Sequence, residues 1–110
     1  MGAVQEITAC ALADWLNDAS RPAPHLLDVR EEWEYAHCHL ANSQLMPMHT
    51  VPLHMNSLPD DAPLVVICHH GVRSYQVAAY LLNAGFAEVF SLAGGVAAWA
   101  DQVDPAMPRY

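Results

Sequence analysis

The sequence contains no lysine. Its whole basic complement is four arginines, Arg21, Arg30, Arg73 and Arg109, against twelve acidic residues, for a formal charge of −8. Nucleic acids and anionic membrane surfaces are held by basic patches, so neither is expected as a partner. Cysteine is scarce as well: Cys10, Cys38 and Cys68 cannot all pair within the chain, and no disulfide framework is expected. No apolar run approaches the length of a membrane span, and Met1-Gly2-Ala3-Val4-Gln5-Glu6 places no basic segment before an apolar one. These absences predict a cytoplasmic protein. Repeats, low-complexity stretches and linkers are also missing. The 110 residues are 54% apolar, which predicts a single domain over residues 1–110 with its own core.

What is present alternates between two periods. Gln5-Glu6-Ile7 reads as a short strand, and Thr8 as the cap of a helix with apolar face Ala9, Leu12, Ala13 and Leu16, ended by Arg21-Pro22-Ala23-Pro24. His25 to Val29 reads as a buried strand and Arg30 to Ala36 as a short acidic helix. Ser43 to Pro47 reads as a third strand, stopped by proline. Thr50 to Leu58 is helix-like, with Pro52 confined to a first turn, and Pro59 to Pro63 is a turn. The strand Leu64 to Ile67 then precedes a helix whose pattern is Tyr75, Ala78, Ala79 and Leu82. Gly85 suits its C′ position, with Phe86 folding back on Leu81. Glu88 to Leu92 is the last strand, and Gly94-Gly95 turns into a helix over Val96 to Asp101 with Trp99 on its inner face. The tail, Val103 to Tyr110, is expected to run extended over the surface. This alternation predicts an α/β fold, a mostly parallel sheet of about five strands with helices on both faces.

The chain is organised around Cys68-His69-His70-Gly71-Val72-Arg73-Ser74, at the carboxyl end of the most apolar strand and the start of a helix. Ligands bind at such ends in open α/β sheets, and a loop entering a helix there turns unpaired N–H groups toward the sulfur. The positive end of the helix and the charge of Arg73 both favour a thiolate. An inert core cysteine is the bland alternative. However, two histidines, a glycine and an arginine at a helix start are not core residues. An acidic protein repels small anions, so an anionic substrate would depend on Arg73 for local positive potential. Asp28 and Arg30 stand at the end of a second strand, where a structural clamp is preferred to a place in the site wall.

Amides and an arginine around a thiolate suit persulfide transfer or the attack on a phosphate or arsenate. The spacing separates them. Cysteine phosphatases need five residues between cysteine and arginine to ring a tetrahedral oxyanion. Here four intervene, and Ser74 stands where that arginine would be. In this respect the sequence resembles the single-domain rhodanese-like sulfurtransferases, whose six-residue loop begins with the catalytic cysteine and has glycine fourth, as Cys68 and Gly71 stand. Leu27-Asp28-Val29-Arg30, with Glu34 and His39-Leu40, resembles the family's upstream signature. Leu92 to Trp99, with Gly94-Gly95, resembles its closing one.

The resemblance implies a three-layer rhodanese-like fold. It also implies that Cys68 takes a sulfane sulfur from a small donor such as thiosulfate, holds it as a persulfide in the loop His69 to Ser74, and surrenders it to cyanide, a thiol or a protein. Asp28 and Arg30 would support the site, and no metal or organic cofactor is implied. Three positions depart from the pattern: Cys38 and Asn42 replace usual glycines, which predicts a different or strained turn, and His69 replaces the arginine of many thiosulfate-using members. A metal site among His37, Cys38, His39, His49, His54, His69 and His70 is the weaker reading, because no ligand-pair spacing occurs. A non-catalytic interaction module and a phosphatase or arsenate reductase are the other rivals.

Overall fold

In the computed structural model, which describes residues 4–110, five strands form one parallel sheet in the order β1-β5-β4-β2-β3. These are β1 (Gln5–Ile7), β2 (His25–Asp28), β3 (Gln44–Leu45), β4 (Leu64–Ile67) and β5 (Val89–Leu92). The helices are α1 (Ala9–Leu16), α2 (Glu32–His37), α3 (Val51–His54, between two 3-10 turns), α4 (Val72–Asn83) and α5 (Gly95–Gln102). The reading of the stretch from Met1 to Ala3 lies outside the described residues.

Buried β4 sits between β5 and β2, and its alternating side chains serve both faces. Val65 and Ile67 join Leu12, Trp15, Leu92, Val96 and Ala100 on the side of α1 and α5. Leu64, Val66 and Cys68 join Val51, Val77, Ala78 and Leu81 on the side of α3 and α4. This period of two turns the Cys68 side chain toward α4.

Two helix faces are rotated from the expected ones. Thr8 caps α1 as read, its Oγ1 accepting from the Ala11 amide at 3.1 Å, but the buried residues are Ala9, Leu12 and Trp15, and Leu16 is exposed. Trp15 wins because it packs edge-on against Phe90, donates from Nε1 to the Pro22 carbonyl at 2.9 Å and carries the Arg21 guanidinium on its ring. In α4 the buried face is Ser74, Val77, Ala78 and Leu81, one position back from the expected set, with Tyr75 exposed. The start at Gly71 sets that phase. At the other end of α4, Phe86 and Gly85 donate to the Leu81 and Leu82 carbonyls with Gly85 left-handed, the expected stop.

Only one of the two glycine replacements needs a glycine-like backbone. Asn42 has φ 64°, a conformation asparagine tolerates better than most residues, whereas Cys38 is extended at φ −163° and unstrained. The tail departs from the surface path expected of it. Met107 is buried with α1 and α5, Arg109 pairs with Asp101, and Tyr110 packs against His69. An apolar side chain and an aromatic ring anchor it where composition showed only prolines. Trp99 is half-buried, and Val96 and Ala100 lead the inner face of α5.

Candidate active site

Cys68 directly follows β4 and is buried, 1% exposed. The chain then turns through His69, His70 and Gly71 into α4. Gly71, at φ 101°, donates its N–H to Cys68 Sγ at 3.0 Å. A side chain at Gly71 would be strained at that φ and would press on the Gly94 backbone. The loop is also fastened from behind. The Cys68 and His69 carbonyls accept the Val96 and Ala97 amides at 2.9 and 3.1 Å, so the first turn of α5 is capped by the loop itself. A Cβ at Gly95 would collide with both carbonyl oxygens, which is the physical content of the Gly-Gly signature.

On the α4 side, Sγ lies 3.4 Å from Ser74 Oγ, and Ser74 Oγ lies 2.8 Å from Ser91 Oγ of β5. Both serines are fully buried. The twelve-residue α4 has no acidic residue in its first turn, so its positive end faces the sulfur undiluted.

A second network braces the outer wall. Asp28 and Arg30 form the expected clamp, an ion pair of two fully buried residues with contacts of 2.6 to 3.1 Å. Arg30 also donates to the Glu34 and Cys38 carbonyls and, from Nη1, to Tyr110 Oη at 3.0 Å. The Tyr110 hydroxyl in turn donates to Glu34 Oε2 at 2.7 Å. Glu34 grips Arg73 with both oxygens, at 2.7 and 2.9 Å. Arg73 therefore offers no unpaired charge to a substrate, contrary to the expectation that it supplies local positive potential: its guanidinium is already matched by a carboxylate.

The energetics follow the contacts. Arg73 holds the Glu34 carboxyl down at about 2 against the opposing effect of burial, and the Glu31 amide helps. Glu34 in turn raises Arg73. Burial works against the charge on Arg30, and Asp28 together with Tyr110 more than offsets it. Tyr110 is pushed up to about 12, chiefly by burial. Burial, and then the neighbouring His70, lower His69 from its ordinary value. The His69 ring stacks between Tyr110 and His70, with centroids 3.9 Å away on each side.

The structure thus gathers Cys68, Gly71 and Ser74 around one sulfur and sets His69 and Arg73 on the rim. His70 and Val72 are exposed. Asp28 and Arg30 stand behind the wall. His37 contacts the Arg109 carbonyl and His39 stacks on Tyr35, while Cys38 is buried. Among the described residues, no three His, Cys, Asp or Glu side chains are grouped to hold a metal. A groove of about 810 Å³, lined by Glu31, Trp33, Met46, Pro47, His49 and His54, contains none of the loop.

Three contributors are given no role by the sequence. Glu34 stands there only as part of the upstream signature, and Tyr110 is brought in from 76 positions away. Ser91 left a signal: it is a lone hydroxyl in an otherwise apolar strand buried from both sides.

Comparison with known proteins agrees with this geometry. A sulfurtransferase of Allochromatium vinosum is 37% identical over 97 residues, 88% of this chain and 89% of its own length. The thiosulfate sulfurtransferase GlpE of Pseudomonas fluorescens is 40% identical over 74 residues, 67% of this chain and 68% of its own. The crystal structure of a rhodanese-like domain protein from Staphylococcus aureus superposes with a TM-score of 0.82 at 31% identity, covering 91% of this chain and 95% of that one. Sulfurtransfer is thus the activity of the family around this chain. Residues 12–102 match the rhodanese-like domain, and the chain belongs to that family.

Proposed function

We propose that residues 1–110 form one rhodanese-like domain that acts in the cytoplasm as a sulfurtransferase, carrying sulfane sulfur as a persulfide on Cys68. The observation that carries this reading is the position of Sγ, buried at a strand end under the Gly71 amide and the Ser74 hydroxyl. The Gly71 N–H donates to this sulfur, and the Ser74 hydroxyl, which accepts from the thiol, can turn to donate once the sulfur is an anion, so no cofactor is needed to stabilise it. In the first step the Cys68 thiolate attacks the outer sulfur of a donor such as thiosulfate. The bond from Sγ to that sulfur forms, the donor's S–S bond breaks, and sulfite leaves with the electron pair. In the second step cyanide, a thiol or an acceptor protein attacks the outer sulfur, and the pair of the breaking S–S bond returns to Sγ.

The loop, His69 to Ser74, serves as the cradle in both steps. With four residues between Cys68 and Arg73, and Arg73 paired to Glu34, it fits a terminal sulfur better than a phosphate. Intact mass after incubation with thiosulfate tests the proposal. The wild type should gain one sulfur, cyanide should remove it, and Cys68→Ala should gain none. Cyanide-labile sulfur on Cys68→Ala would overturn the assignment.

A further inference from the structure

Ser91 belongs to no motif of the loop, yet its hydroxyl is fully buried on β5 beside Val66 of β4, on the face that holds Cys68. Burying a hydroxyl among apolar side chains is costly unless it is hydrogen-bonded, and an alanine would fill this place more cheaply. The hydrogen bond the structure records for the Ser91 hydroxyl is the one with Ser74 Oγ, at 2.8 Å, and Ser74 Oγ in turn reaches Cys68 Sγ, at 3.4 Å.

We propose that Ser91 is a positioning residue of this site, which, acting through Ser74, holds Cys68 as the thiolate. The inference rests on the reading that Cys68 carries the sulfur, and it follows from counting hydrogens. The three atoms Sγ, Ser74 Oγ and Ser91 Oγ make two contacts. With a thiol, three hydrogens serve two contacts, and one is left without an acceptor in a buried place. With a thiolate, two hydrogens serve two contacts: Ser91 donates to Ser74, and Ser74 donates to sulfur. The Gly71 N–H adds a donor from the other side. Every hydrogen has an acceptor only in the ionised form, so the pair favours it.

The same pair acts again when the persulfide is discharged. The bond from Sγ to the outer sulfur breaks, the electron pair goes to Sγ, and the two hydroxyls receive a leaving thiolate already oriented.

The charged and titratable groups on the elements around the loop make no hydrogen bond with the Ser91 hydroxyl. The loop contributes His69 and His70. Helix α4 contributes Arg73, paired with Glu34 of α2, and the end of β2 contributes Asp28 with its partner Arg30. Tyr110 lies over His69. The first turn of α5 carries no acidic residue, and Glu6, which is in register with Ser91 on β1, is exposed.

The test uses the full chain with Ser91→Ala, Ser91→Thr and Ser74→Ala. Iodoacetamide alkylation is read at the Cys68 peptide as a function of pH, together with single-turnover release of sulfur from preloaded protein to cyanide. The pH of half-maximal alkylation should rise by about half a unit in Ser91→Ala, the share a second hydroxyl adds to a charged hydrogen bond, and by about one unit in Ser74→Ala. Ser91→Thr restores the hydroxyl and should restore the profile. Sulfur release from loaded Ser91→Ala should slow by about threefold. An alkylation profile unmoved in Ser91→Ala while Ser74→Ala shifts it would overturn the proposal, and so would a shift that Ser91→Thr does not reverse. A profile that moves as stated in a protein that never takes up sulfur would instead overturn the functional reading and leave the hydroxyl pair standing.

Discussion

Two polar networks meet at the Cys68 loop, and they are built on opposite terms. Asp28, Arg30, Tyr110, Glu34 and Arg73 form a ladder of full charges bridged by a phenol, alternating in sign and summing to zero. Cys68, Ser74 and Ser91, with the Gly71 amide, hold no formal charge except the one that develops on sulfur. The ladder spends its charges on itself and so acts as a brace. The cradle works with dipoles and so responds to the sulfur. Arg30, Arg73 and Arg109 each have a carboxylate partner, and Arg21 lies on Trp15 away from the loop. The shortage of cations in the composition is therefore sharper at the site than in the sequence.

Breaking the ladder should produce the largest effect on the fold. Arg30→Ala leaves Asp28 as an uncompensated buried charge, and truncations of this kind cost about 3–5 kcal/mol. Urea unfolding should show that loss. Combining Asp28→Asn with Arg30→Met should cost less than Arg30→Ala alone, because no orphan charge remains. Cradle variants belong at the other end of the scale, with Ser74→Ala changing stability by about 1 kcal/mol. Equal losses in Arg30→Ala and Ser74→Ala would erase the distinction between the two networks.

Acid should weaken the ladder in a defined window. Glu34 has an ordinary value of 4.5 and is held at about 2 in the fold, so the unfolded chain binds its proton first as the pH falls. The stabilisation is present in full above about 4.5 and fades as the pH approaches 2, a loss on the order of 2 kcal/mol after allowing for the part-exposed Arg73. His69 adds a smaller slope of the same sign. Its value is lowered from 6.5, so acidification below that point favours the unfolded chain. Denaturant midpoints measured from pH 7 to pH 3 should fall in two stages, and Glu34→Gln should flatten the lower one. An unchanged lower stage in that variant would assign the acid loss to another carboxylate.

How far these networks were legible in the sequence depends on the distance their signals span. The loop, the Thr8 cap, the Gly85 stop and the parallel sheet follow from patterns within a few residues. They emerged as read, and so did the Asp28–Arg30 clamp across one intervening residue. The phases of α1 and α4 did not. Apolar periodicity cannot rank Trp15 above Leu16, nor show that Ser74 turns inward toward a sulfur and a second hydroxyl. The ladder was the least visible part, since Tyr110 reaches Arg30 across 80 positions from a tail that composition marks as merely proline-rich. Arg73 is expected from the sequence to supply local positive potential, because its partner Glu34, on a different helix, has no local pattern that points to the pairing.

The smallest effect tests whether the neutral rim limits the choice of donor. His69 stands on the rim, stacked on Tyr110 and lowered by burial, so it adds little positive charge near neutral pH. Thiosulfate carries two negative charges and must approach a protein of net charge −8 with its nearby arginines already paired. His69→Arg places on the rim a cation that does not titrate in the accessible range, and a planar guanidinium can keep the stack on Tyr110. A part-exposed charge of this kind is worth about 0.5–1 kcal/mol, which predicts a thiosulfate KM lower by about threefold. The gain should shrink as ionic strength rises, because salt screens an exposed charge. A donor whose transferable sulfur sits on an uncharged group should be indifferent to the substitution. An unchanged thiosulfate KM at low salt would mean that the dipoles of the loop and of α4 capture the dianion unaided, and that the paired arginines are no handicap to it.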